Sequence, residues 1–289
     1  MLWIFAAALA AIFAALTVIF AKCGLKKTDS DLALALRAVF IFAFAWALVF
    51  IFGSQNCFSS ITPRAWGGLI LSGVASGGSW LFYFKAISLG DMNKVSSIDK
   101  FSTVLAVILA IICFGETSHL AIKLVATAIL GFGIVLMVDF KQKQNNVKGK
   151  RWLVYAVLSS VCTALMSVFS KPGVADIDPN FATAVRSGIV LVIAWAVVFA
   201  GKKQVEIKKT EPSELLFILL SGIATATSWV FYYYAVKHGD VSVVAPIEKL
   251  SILVVVGFSF FVFKEKISKK AFLGLALIVF ATLIVAIFR

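Results

Sequence analysis

SGVASGGSWLFYFKA at residues 72–86 returns as SGIATATSWVFYYYA at residues 221–235. That recurrence decides the fold. The offset, 72 to 221, is 149 positions, and it holds without a gap along the chain. WIFAAALAAIFAALTVIFAKCG (3–24) lies over WLVYAVLSSVCTALMSVFSKPG (152–173), and GDMNKVSSIDKFS (90–102) over GDVSVVAPIEKLS (239–251). Arg37 falls on Arg186, Trp46 on Trp195 and Glu116 on Glu265. Roughly 40 of about 140 aligned positions are identical. An apolar composition produces chance matches of Leu and Ala, but not a register of Trp, Arg, Lys, Asp and Glu. The chain is therefore an internal duplication, with a first repeat over 1–140, a basic linker over 141–151 and a second repeat over 152–289.

The 289 residues are 61% hydrophobic, with a mean hydropathy of +1.01. A water-soluble domain is nearer half apolar because it must cover its core with polar surface. This chain lacks the polar residues for that surface, so a membrane is its expected solvent. A helix spans the hydrocarbon with about 20 apolar residues. Ten stretches satisfy this: 2–21, 32–52, 66–88, 95–115, 119–139, 152–170, 181–200, 214–236, 242–263 and 270–288. The fold class expected is an all-α membrane protein of ten transmembrane helices, the first of them retained and not a cleaved signal.

Each repeat holds five spans, an odd number, so the second must enter the membrane from the side opposite the first. That is an inverted-topology repeat. The net charge of +13 agrees. Lysines crowd the loops after odd-numbered spans, as at Lys26, Lys27, Lys202, Lys203, Lys208, Lys209, Lys264 and Lys266, whereas the other side has Arg64, Lys171, Lys237 and Arg289. The loop with Lys202 to Lys209 has Arg64 alone in its first-repeat counterpart. Cytoplasmic loops gather Lys and Arg, so both termini are expected outside a bacterial inner (plasma) membrane. The same bias accounts for the basic charge without a nucleic-acid partner.

Charged side chains inside spans cost a few kcal/mol each and mark function or a partner. Arg37, Arg186, Lys85 and the doublets Asp99–Lys100 and Glu248–Lys249 are such residues. Asp99 and Glu248 lie roughly 12 Å into their spans if the helices are straight. Arg37 shares a depth with Asp99, and Arg186 with Glu248. Two symmetry-related ion pairs are expected, either gates or permanent ties between helices. Lys100 and Lys249 point elsewhere on the same helices, toward a cavity or snorkelling to the surface. Pro246 removes a backbone donor and predicts a hinge in span nine, where the first repeat has Ser97.

Trp80, Tyr83, Trp229 and Tyr232 are candidates for a substrate wall, although the run Tyr232 to Tyr234 reads rather as an interfacial belt. Gly73, Ser76, Gly77, Gly78 and Gly222 permit close helix packing. The cysteines and the two histidines form no metal or nucleophile pattern, and no phosphate-binding loop is present. No catalysis and no cofactor are expected; Asp99 and Glu248 are the groups suited to proton coupling.

Two such repeats, each with GD-x3-V-x2-I-[DE]-K-x-S and a Glu ending the span, resemble the EamA-type family of the drug/metabolite transporter superfamily. The residues that carry the resemblance are Gly90, Asp91, Val95, Ile98, Asp99, Lys100, Ser102 and Glu116, with Gly239, Asp240, Val244, Ile247, Glu248, Lys249, Ser251 and Glu265. The resemblance implies a bundle whose helices three, four, eight and nine line a central cavity, with helices five and ten peripheral. It also implies transport of amino acids, related metabolites or drugs. Well-known ten-span members keep both termini inside, which this chain's loop charges oppose. The expected partners are a small-molecule substrate and the lipid bilayer, in a monomer or a homodimer. A flippase of lipid-linked sugars is the alternative, and a non-transporting scaffold a lesser one.

Overall fold

The computed structural model describes residues 2–24, 28–55, 61–89, 95, 98–137, 151–261 and 269–288. Gly90, Asp91, Ser97, Glu265 and the linker lie outside the described residues. The described chain is helical throughout: α1 Leu2–Gly24, α2 Ser30–Ile51, α3 Pro63–Leu89, α4 Ser102–Phe114, α5 Leu120–Met137, α6 Arg151–Val174, α7 Pro179–Ala200, α8 Pro212–His238, α9 Val241–Lys249, α10 Ser251–Phe261 and α11 Lys269–Ile287.

Local chemistry places the ends. Asp29 caps α2, its carboxylate accepting from the backbone N–H of Asp31 and Leu32, and the equivalent Asp178 caps α7 through Asn180. A side-chain oxygen there satisfies N–H groups that a helix leaves unpaired in its first turn. Pro63, Pro179 and Pro212 open α3, α7 and α8, where a missing N–H costs nothing. Gly115 ends α4 in the left-handed conformation, at φ +64°.

Six described helical stretches are long and apolar enough to cross a membrane, at residues 2–21, 31–51, 151–174, 179–200, 212–238 and 241–258. Residues 120–136 and 272–287 form shorter apolar helices. Ala and Ser dominate the interior, while large side chains such as Val192 and Phe272 point outward. Small residues inside and bulky apolar ones outside are the reverse of a soluble core, and they let helices approach closely in lipid.

The two repeats pack as counterparts. α2 lies on α7, α4 on α9, and α5 on α11, while α1 lies on α8 and α3 on α6. The pairs run antiparallel: Leu32 and Ala35 of α2 meet Ala194 and Val198 of α7, and Leu130 and Ile134 of α5 meet Ile278 and Ala281 of α11. Gly73 admits Ile189 of α7, and its counterpart Gly222 admits Phe40 of α2, itself the counterpart of Ile189.

Spans four and nine are each interrupted by a turn. The helical residues 98–100 join α4 at Phe101, whose N–H donates to Ile98 O (3.0 Å), and α9 joins α10 at Leu250, whose N–H donates to Ile247 O (3.0 Å). Both are single tight turns at equivalent positions. Pro246, where a hinge is expected, lies inside α9, which runs on to Lys249, and the irregular turn follows Glu248–Lys249. Because the first repeat makes the same turn, proline alone is not its cause.

Candidate functional site

Where the repeats meet, a cavity of about 310 Å³ opens between α1, α2, α3, α6, α7, α8, α9 and the helical residues at Asp99. Nine of the ten proposed binding or gating residues line it: Arg37, Trp80, Tyr83, Asp99, Arg186, Trp229, Tyr232, Glu248 and Lys249. Lys100 does not line it, and Pro246 is buried within α9. Neither α5 nor α11 contributes a lining residue.

Two equivalent indoles form the centre, Trp80 and Trp229, with ring centroids 6.4 Å apart. Each carries an arginine on its face. Arg37 Cζ stands 5.2 Å from the Trp80 ring and Arg186 Cζ 4.1 Å from that of Trp229. Arg186 is 2% exposed; it donates through Nη2 to Ser76 Oγ at 3.0 Å and rests beside Met166 and Tyr233.

The ion pairs Arg37–Asp99 and Arg186–Glu248 are not formed among the described residues. Asp99 instead accepts from Ser159 Oγ at 2.8 Å, and Glu248 Oε2 lies 2.8 Å from its neighbour Lys249. The expectation failed because a shared depth does not fix how each helix is rotated: the arginines lie on the faces of Trp80 and Trp229, and Asp99 and Glu248 are met by Ser159 and Lys249.

Tyr232 and Tyr233 are likewise buried, one lining the cavity and the other against Ser72 and Arg186, so they are not a belt. A run at a helix end reads as interfacial only if that end is at the surface, and α8 continues to His238.

The walls from α1 and α6 were not foreseen. Thr17 bonds Thr225 (3.2 Å), and Thr163 bonds Ser79 (2.6 Å). A signal existed: Ser159, Thr163, Ser167 and Ser170 recur at helical spacing and form one polar stripe on α6.

A second polar cluster stands where α4, α6 and α9 meet. Glu116 Oε1 bonds Lys171 Nζ at 2.6 Å and Val241 N–H at 3.1 Å; Oε2 accepts from Ser242 N–H at 2.8 Å. The carboxylate thus caps α9, where helix donors and dipole favour an anion. Burial alone would raise its pKa, but the bonds from Lys171 and Ser242 outweigh burial and hold it below the usual carboxylate range. Fully buried Lys123 donates to Glu116 O and Ser118 Oγ, both at 3.1 Å, and Lys123 and Lys171 each stand 3.8 Å from Asp240.

At the opposite end, Lys203 bridges Asp29 (2.8 Å) and Asp31 (2.5 Å). Burial would raise Asp29, but Lys203 and the capped N–H groups lower it overall. Lys203→Ala should cost less than about 1 kcal/mol, because this bridge is partly solvated, and the loss should shrink in high salt. Thermal unfolding at two ionic strengths measures it.

Comparison with known proteins agrees with this architecture. The EamA-like transporter family matches residues 1–139 and again 150–287. A Sinorhizobium protein described as an uncharacterized transporter in the cobO 3′ region is 41% identical over 143 residues, covering 47% of this chain and 97% of that protein. A solved crystal structure aligns with a TM-score of 0.76 at 17% identity, over 97% of this chain and 95% of its own, a likeness of fold alone. With its two matched repeats, its apolar helices and a transporter among its relatives, this multi-pass membrane protein belongs to the EamA-like transporter family, within the drug/metabolite transporter superfamily.

Proposed function

We propose that the chain is a ten-span, inverted-repeat secondary transporter of small metabolites such as amino acids or related solutes, working by alternating access around the cavity of Trp80 and Trp229. One observation carries the reading. Equivalent residues of both repeats, Arg37 and Arg186, Trp80 and Trp229, Tyr83 and Tyr232, Asp99 and Glu248, converge on one cavity. Two repeats related by a two-fold axis can exchange conformations, which opens the cavity to each side in turn. The setting proposed is a bacterial inner membrane with both termini outside, and Asp99 and Glu248 are the groups proposed for proton coupling.

Purified protein in liposomes preloaded with a metabolite pool should accumulate labelled substrate by exchange, and Trp229→Ala should abolish that exchange. Leakage equal to that of empty liposomes for every soluble solute would overturn the reading and favour a lipid-linked one. Orientation is tested separately. Alkaline phosphatase fused after Arg289 should be active and a fluorescent-protein fusion there dark; the reverse pattern places the termini inside.

A further inference from the structure

We infer that the substrate of this cavity is a small organic carboxylate without a compensating ammonium group. The inference rests on the transport reading of the same cavity and adds the charge of what is carried.

The charges decide it. Arg37, Arg186 and Lys249 line the cavity with Asp99 and Glu248. Lys249 bonds Glu248 directly, and the equivalent Lys100 neighbours Asp99 in the chain. Glu248 thus already has a lysine and Asp99 a hydroxyl donor in Ser159, and the two guanidiniums are left without an anionic group. Neither makes an ion pair among the described residues. Nε of both is buried with no hydrogen-bond acceptor.

An indole face compensates an arginine only in part, because the attraction of a ring quadrupole is weaker than the cost of taking a cation out of water. A carboxylate would supply what is missing, because its two oxygens match the fork of a guanidinium. An amine or a zwitterion would instead bring a further cation into a cavity where positive groups already exceed negative ones. At about 310 Å³ the space suits a compact solute. The indoles of Trp80 and Trp229 and the ring of Tyr83, which line the cavity, offer its body an aromatic floor.

The test compares four compounds with one ring: 3-phenylpropionate, 3-phenylpropionamide, 3-phenylpropylamine and phenylalanine. Binding to the full-length protein in detergent is followed by calorimetry and by ligand-induced thermal stabilisation. The acid should bind at least about tenfold tighter than the other three. Arg37→Gln, which removes no hydrogen bond seen here, should take about tenfold from the acid and leave the amide unchanged; Arg186→Gln should do the same in protein that still unfolds cooperatively. Equal or tighter binding of the amine, the amide or phenylalanine overturns the inference, as does binding of none of the four to folded protein. Liposome exchange with the same compounds separates the two readings. Flux of the amide or amine without preference for the acid overturns the carboxylate and keeps transport. Acid binding without any flux keeps the carboxylate and overturns transport.

Discussion

Glu116→Ala is expected to destabilise the protein by about 3–5 kcal/mol, because it removes one member of a buried charge cluster and strands the rest. Lys171 loses its 2.6 Å contact and keeps only Asp240 at 3.8 Å as an anionic neighbour, and the N–H groups of Val241 and Ser242 lose their cap. Glu116→Gln should cost roughly half as much, since an amide oxygen still accepts from the backbone of α9 while the ion pair is lost. The pH dependence follows from the depressed carboxyl. A group held below its ordinary value of about 4.3 contributes fully above that value and loses its contribution as pH falls through the folded value. The gap between wild type and Glu116→Gln should therefore be the same at pH 8 and pH 6 and close only in acid below about pH 4. Thermal unfolding in detergent across that range measures it. A gap that widens on acidification would show that Glu116 is protonated in the folded protein at neutral pH. If the cluster is also the barrier at its end of the cavity, Glu116→Gln should speed exchange in liposomes although it lowers stability.

Gly68→Leu should leave no folded protein, a cost above about 3 kcal/mol. A Cβ at Gly68 would stand 2.5 Å from the backbone nitrogen of Gly173 and 2.8 Å from its Cα. Those atoms belong to the chain of α6, so relief requires the helices to part, and α3 and α6 together carry Ser76, Ser79, Thr163 and Ser167 to the cavity. Gly67→Leu is the control, one residue away with nothing within 4 Å of its Cβ. Size-exclusion profiles and unfolding midpoints should separate the two variants cleanly; equal behaviour would mean that α3 and α6 do not cross there.

The duplication, the helical character and most of the candidate residues were legible in the chain itself. Apolar length, charge between spans and the register of Trp80 on Trp229 or Arg37 on Arg186 are properties of the chain alone, so they survive without knowledge of packing. Which side chains touch is a different kind of fact. It depends on how each helix is rotated and where two helices cross, and contacts such as Gly68 with Gly173 or Gly73 with Ile189 join residues far apart in the chain. Those crossings turned Thr17 and Thr163 toward the cavity, set each arginine on an indole and not on an acid, and brought Glu116 to the first turn of α9. The sequence by itself determined which groups had to be buried in the membrane. Only the tertiary structure decided which of them would answer one another, because pairing at 3–5 Å is fixed by helix rotation and local turns that hydropathy does not encode.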